Sequence, residues 1–141
     1  MSLARQSTCV AIGGRGVLIE GAPGSGKSSL ALALIDRGAV LVGDDGILAE
    51  ARDGRLIAAP HPRIAGKLEV RGVGLVTMPV SGPVPVALVL TLDSAAPRFV
   101  EQPGSVAIAG IALPHVRLWP DSPVLALRAE MALRVHGLSF S

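Results

Sequence analysis

The stretch Gly16-Val17-Leu18-Ile19-Glu20-Gly21-Ala22-Pro23-Gly24-Ser25-Gly26-Lys27-Ser28 decides how the rest of the chain reads. Gly16 to Glu20 is an apolar run that predicts a strand, and Gly21 to Ser28 has the form Gly-x-x-x-x-Gly-Lys-Ser. Lys27 to Arg37 has helix-forming composition, with Leu30, Leu34 and Ala31 on one face, and Gly38 stands where a helix C-terminal glycine belongs. Glycines let the backbone curl so that successive N–H groups point inward at an anion. A mobile lysine can reach the β- and γ-phosphates of a nucleotide, a serine hydroxyl can meet Mg²⁺, and the following helix aims its positive end at the same place. With a strand before it and a helix after it, the motif marks Gly21, Ala22, Pro23, Gly24, Ser25, Gly26, Lys27, Ser28 and Ser29 as a nucleotide phosphate loop.

Outward from this loop the chain reads as short elements. Thr8 to Ile12 predicts a strand forming a hairpin with Gly16 to Glu20 across Gly13-Gly14-Arg15-Gly16. Ala39 to Gly43 is a short apolar strand ending at Asp44-Asp45, and Ile47 to Ala49 with Leu56 to Ala58 flank an Asp53-Gly54 turn. Leu68 to Val70 and Gly74 to Met78 are short strands around Arg71-Gly72. Pro85 to Leu92 is continuously apolar, as a strand buried on both faces would be, and Ser105 to Ile111 predicts one more. Ser122-Pro123 reads as a cap and first-turn proline opening a helix from Val124 to Val135. The expected fold is α/β, a mixed sheet with one helix after the phosphate loop and one at the C-terminus.

Composition narrows the classes. The 141 residues fit a single domain spanning 1–141, and 50% apolar content with 17% charged residues excludes a mainly disordered chain. Two Phe, one Trp and no Tyr argue against base-stacking nucleic-acid platforms, and a net charge of +2 is too small for a phosphate-tracking surface. Five cations between Arg52 and Arg71 stand against two acids and read as a solvated region. Cys9, the single cysteine, sits in an apolar alternating segment and reads as a buried structural thiol. The sequence has neither a membrane-span pattern nor a signal-peptide pattern, so the expected location is cytoplasmic, with no nucleic-acid or membrane partner.

A metal-bound phosphoryl-transfer site adds an acid at the end of an apolar strand. Asp44-Asp45 qualifies, 17 and 18 residues after Lys27, and so does Asp93 after the Val86 to Leu92 run. Adjacent carboxylates on an extended segment point in opposite directions, so only one of Asp44 and Asp45 is expected to face the phosphates. Guanine-specific GTPases need an Asn-Lys-x-Asp signature, and the chain contains no Asn. A small kinase fits the size better than a mechanical ATPase.

Gly21 to Ser28, Leu30-Ala31-Leu32, Asp36-Arg37-Gly38-Ala39 and Leu41-Val42-Gly43-Asp44-Asp45 together resemble the core of HPr kinase/phosphorylase. Gly66-Lys67-Leu68-Glu69-Val70-Arg71-Gly72-Val73-Gly74-Leu75 is similar to that family's Glu-[Ile/Val]-Arg-Gly-[Leu/Val]-Gly signature. The resemblance covers Thr8 to Met78 and looks like the short form that keeps only the catalytic domain. It implies a phosphoenolpyruvate-carboxykinase-like fold, a hexamer, ATP as phosphoryl donor with Mg²⁺, and the phosphocarrier protein HPr as the substrate, phosphorylated on a serine. A reverse phosphorolysis of phosphoserine by inorganic phosphate is implied as well.

By the same resemblance Asp44 is the general base and Lys27 holds the β-phosphate. Ser28 and Glu69 are Mg²⁺ ligands, Asp45 orients the site, and Arg71 stabilises transferring charge. Three departures accompany it, one being that aspartate-rich substrate-binding segments are not evident. Gln6 stands where the family has a histidine, and Pro114 to Pro120 carries Arg117 but no Pro-Gly-Arg string. Kinase activity is therefore expected to survive and phosphorolysis to be weak or absent. Two alternatives stay open, a small-molecule kinase and a nucleotide-sensing module without turnover. With so few aromatics, nucleotide affinity is expected to come from the phosphates and Mg²⁺, with loose selection of the base.

Overall fold

A computed structural model describes residues 2–140. Strand β1 (Leu3–Arg5) leads into β2 (Thr8–Ile12), and a tight turn at Gly13-Gly14 returns the chain as β3 (Arg15–Gly21). The glycine loop follows, then helix α1 (Lys27–Asp36) and β4 (Val40–Gly43). Strands β5 (Ile47–Arg52) and β6 (Arg55–Pro60) form a hairpin, and β7 (Lys67–Val70) and β8 (Gly74–Thr77) form another. The chain then runs through β9 (Val84–Leu92), β10 (Gly104–Ile108), β11 (Ile111–Leu118) and helix α2 (Leu125–His136).

Nine strands make one mixed sheet in the order β1-β5-β6-β9-β3-β2-β4, with β11 also on β9 and β10 on β11. The hairpin β7–β8 is a separate two-stranded sheet. Strand β9 is the axis. Its first residues pair antiparallel with β6, Gly16–Gly21 of β3 run parallel along it, and β11 runs parallel to Val89–Leu92. Its apolar run is continuous because both faces are covered. Ala87, Leu88, Leu90 and Leu92 belong to the core beneath the helices, where they join Val17, Ile19, Leu30, Leu34 and Leu133. Val84, Val86 and Val89 belong to the opposite core with Leu18, Val42, Ile47, Leu56 and Leu113.

Most of the predicted elements are present. Leu30, Ala31 and Leu34 are the buried face of α1, and the Gly38 N–H donates to the Ile35 carbonyl just past the helix end. The β5–β6 turn holds Asp53 and Gly54 at φ +54° and +76°, the left-handed pair that a two-residue hairpin needs.

Three expectations change. The run Ser105 to Ile111 is not one strand: Ala109 and Gly110 take φ +51° and +78° and turn the chain into β11, a strand not anticipated from sequence. Helix α2 starts at Leu125 with Val124 as its N-cap, close to the expected position, but Ser122 does not cap it; Ser122 Oγ instead accepts the Val124 N–H at 3.2 Å in the preceding turn. Strand β1, also unanticipated, pairs with β5 through backbone that carries no strong strand pattern. Among the described residues no helix is long and apolar enough to cross a membrane.

Cys9 is fully buried, and removal from water pushes its thiol well above the ordinary cysteine range. In the unfolded chain it ionises near pH ~8.5. The folded state therefore holds a proton that the unfolded state has already lost. The Cys9 contribution is complete below that pH and falls away as pH rises through it. Urea unfolding of wild type and Cys9→Ala should give a stability difference that shrinks by up to about 1.4 kcal/mol per pH unit above pH ~9. A constant difference there overturns this account.

Candidate functional site

Strand direction aligns the site. Strands β3, β9 and β11 are mutually parallel, and β4 joins them in direction because β2 is antiparallel to both β3 and β4. Four strands thus end along one edge. Asp44 follows β4, the glycine loop follows β3, Asp93 follows β9 and Trp119 follows β11. Such carboxyl-end edges are where α/β sheets place their ligands.

The loop is shaped for close approach. Gly26 takes φ +103° to start α1, and a Cβ on Gly21 would stand 2.5 Å from Ser25 Oγ and 3.2 Å from the Leu92 carbonyl oxygen. The first helical bond runs from Leu30 N to Gly26 O at 2.9 Å, which leaves the amides of Lys27, Ser28 and Ser29 without helical acceptors. Lys27 Nζ donates to the Gly21 carbonyl at 2.8 Å, so its ammonium lies back across the loop. Ser25 Oγ is buried with no hydrogen-bond partner, an orphan polar atom inside the loop.

Asp44 is the hub. Its Oδ1 accepts from Ser28 Oγ at 2.8 Å and from Thr8 Oγ1 at 3.1 Å, and its Oδ2 accepts the Glu69 backbone N–H at 3.0 Å. One carboxylate thereby joins α1, β2 and β7. The turn that carries it has no space to spare. A Cβ on Gly43 would collide with the Gly46 carbonyl oxygen and lie 2.7 Å from Ile47 Cγ2.

An open cavity of about 600 Å³ lies in front of this hub. Pro23, Gly24, Gly26, Lys27, Ser28 and Ser29 form one wall, Asp44 and Asp45 with Thr8 the floor, and Glu69 to Gly74 the other wall. The sequence-predicted residues Lys27, Ser28, Ser29, Asp44, Asp45, Glu69 and Arg71 therefore share one cavity. Gly21, Ala22 and Ser25 shape the loop behind it.

Both aspartates line the cavity, and hydrogen bonds place the carboxylate of Asp44. Asp45 sits at φ +60°, so the segment is not extended and the alternation of side chains does not apply. The other strand-end acid, Asp93, accepts the Ala95 N–H at 2.8 Å and pairs with Arg117 at 3.6 Å, away from Ser28. Gln6 is exposed and does not line the cavity; the β2 side chain that reaches Asp44 is Thr8, which sequence reading missed. A polar residue at the first position of an otherwise apolar strand beside the loop was the available signal. His61 also stays outside the cavity, its Nδ1 accepting the Arg63 N–H at 3.2 Å.

Glycine loop, paired aspartates and facing hairpin on a curled mixed sheet with two helices define an α/β protein built around an anion-directed loop. The chain belongs to the HPr serine kinase C-terminal domain family, whose model matches residues 2–81. It is 46% identical over 66 residues to the HPr kinase/phosphorylase of Clostridium tetani, covering 47% of this chain and 22% of that protein. The HPr kinase/phosphorylase of Exiguobacterium sibiricum is 42% identical over 74 residues, 52% of this chain and 24% of that protein. The chain thus matches these curated relatives over less than a quarter of their length. The structure of the Hpr(Ser) kinase/phosphatase from Coxiella burnetii superposes with a TM-score of 0.83 at 29% identity, covering 94% of both chains.

Gly43→Ala should lower stability in urea unfolding by about 1–3 kcal/mol, because backbone blocks the new methyl group. Gly82→Ala, where nothing lies within 4 Å of the added carbon, should stay within about 0.5 kcal/mol of wild type. Equal losses in the two variants would contradict the steric account.

Proposed function

We propose that this chain is an ATP-dependent kinase that phosphorylates the phosphocarrier protein HPr on a serine, working in the Asp44 cavity. The observation that carries the reading is the convergence of Ser28, Thr8 and the Glu69 amide on one carboxylate in front of the glycine loop. Membership of the HPr serine kinase C-terminal domain family supports the substrate class. The phosphoenolpyruvate-carboxykinase-like character of the fold and the hexamer are parts of the same proposal.

The roles follow from donor and acceptor counting. An ionised carboxylate offers about four lone-pair sites. Asp44 uses three, two on Oδ1 and one on Oδ2. The remaining site on Oδ2 can take the proton of an incoming serine hydroxyl. As the serine oxygen bonds to the γ-phosphorus, the bond to the β,γ-bridging oxygen breaks, and ADP leaves with that oxygen. The proton stays on Asp44 Oδ2.

Lys27 and the unpaired amides of the loop and first helical turn hold the β- and γ-phosphates. Arg71, which lines the opposite wall, balances charge on the phosphoryl group in flight in this reading. Ser28 and Glu69 would hold Mg²⁺. The oxygen-only donors around them suit a hard cation that keeps several of its own waters, and the ion would neutralise phosphate charge. Asp45 orients the site from the same floor.

With HPr, ATP and Mg²⁺, wild type should transfer phosphate to the HPr serine, and Asp44→Asn should lose about 10²–10⁴-fold in rate while still binding nucleotide. Lys27→Ala should lose nucleotide binding itself. Tight ATP binding by wild type with no transfer to HPr would favour a nucleotide-sensing role and overturn the kinase reading.

Gln6 stands exposed and outside the cavity, and a glutamine does not titrate near neutral pH. The reverse reaction therefore lacks a side chain that could shuttle a proton from that position. Phosphoserine-HPr incubated with inorganic phosphate and Mg²⁺ should release its phosphate far more slowly than the forward reaction proceeds. Rapid release would overturn this expectation.

A further inference from the structure

A second cavity, of about 450 Å³, opens at the same edge of the sheet beyond the glycine loop. Ala96, Pro97, Arg98, Arg117, Trp119 and Arg128 line it, and these residues come from the segment after β9, the end of β11 with the residue beyond it, and the first turn of α2. All of them lie outside residues 2–81, so nothing about this cavity follows from the family match. Trp119, the single tryptophan, is 46% exposed there. Among the described residues, Arg98 and Arg128 have no ion-pair partner, and Arg117 has a loose one in Asp93 at 3.6 Å.

The register of the sheet relates this cavity to the first. Gly21 pairs with Leu92, and Leu92 with Leu118, so Trp119 begins two strand spacings from the start of the loop, roughly 10 Å. Asp44 lies on the other side, beyond β2, at the end of β4. Along the edge the order is Asp44, glycine loop, Trp119. A nucleotide whose reacting γ-phosphate faces Asp44 can run its α-phosphate and nucleoside along the edge toward the opposite flank, and that flank carries the only tryptophan and three arginines.

We propose that this second cavity is the nucleoside subsite, with the purine stacked on the Trp119 indole and Arg98 and Arg128 facing the ribose and α-phosphate. This rests on the phosphate-loop reading above and adds the position of the base. Indole stacking accepts any base, because every base has a π-face. The cavity therefore favours a nucleotide over bare polyphosphate but separates adenine from guanine little. An acidic segment of a protein substrate is the competing occupant, and the order along the edge favours the nucleoside.

The chain has one Trp and no Tyr, so its intrinsic fluorescence reports this cavity alone. The whole chain with Mg²⁺ is titrated with ATP, GTP and inorganic tripolyphosphate, followed by fluorescence and by calorimetry. ATP and GTP should both change Trp119 emission and bind within about threefold of each other. Tripolyphosphate should bind by calorimetry and compete with ATP, with little change in emission. Trp119→Ala should weaken ATP about tenfold or more and leave tripolyphosphate unchanged. Arg128→Gln, an exposed helix position, should weaken ATP in the same direction.

If both variants bind ATP as wild type does, the nucleoside lies elsewhere and the subsite is overturned while the loop assignment stands. Unchanged ATP affinity with a raised KM for HPr would give the cavity to the protein partner and overturn the subsite in the same way. Failure of wild type to bind either tripolyphosphate or ATP would overturn the loop reading and the subsite together.

Discussion

The backbone pairing of β9 governs the rest of the molecule. One nine-residue strand accepts β6 at its start, β3 along its length and β11 at its end, and nearly every residue in it is buried. The parallel sense of the β3–β9–β11 set brings three chain segments to one edge, and the antiparallel β2 adds Asp44 from β4 to the same row. Neither cavity exists without that alignment. Polar side chains then stand at the margin of an apolar slab, where water remains available to them and the core does not have to bury their charge.

Asp44 shows how local and distant structure cooperate there. Ser28 comes from the first turn of α1, Thr8 from the first residue of β2 and Glu69 from a hairpin outside the main sheet, and each donates to this one side chain. The loop alone could be read as an anion cradle. The facing carboxylate adds an acidic group that direct hydrogen bonds tie to the loop helix and to the hairpin wall. Gly43 and Gly46 bracket Asp44 and Asp45 and keep the turn between β4 and β5 tight, since a Cβ on Gly43 would collide with the Gly46 carbonyl and one on Gly46 with the Ile64 side chain.

Much of this was legible from sequence where short-range patterns carry it. The loop motif, α1, the Asp53-Gly54 hairpin and the buried run of β9 are local signals, and the structure contains each. Strand β11 was not legible, since Pro114 and a mixed composition hide a strand that gains its ladder only from β9 and β10. The cap of α2 was misassigned because Ser122-Pro123 makes a turn of its own before the helix. Of the residues lining the cavity, Lys27, Ser28, Asp44, Glu69 and Arg71 were singled out through motifs, whereas Thr8 depends on a contact across 36 residues. That Asp44 and Asp45 both line the cavity involves one left-handed residue, Asp45, that extended-strand reasoning could not supply.

The hairpin β7–β8 shares no ladder with the nine-stranded sheet. It is tied to the body by buried Leu68 with Val70 and Met78 against the helix core and by the Glu69 amide on Asp44; Val73 and Leu75 at its tip are 74% exposed. The two walls of the Asp44 cavity accordingly belong to different cooperative units. Opening the loop wall means breaking the central sheet, whereas the hairpin wall can detach at the expense of a few contacts. Amide hydrogen exchange would therefore divide a single cavity in two, with slow protons behind the glycine loop and fast ones beside Glu69 and Arg71. The first wall persists for as long as the domain stays folded, and the second is renewed by each local closing.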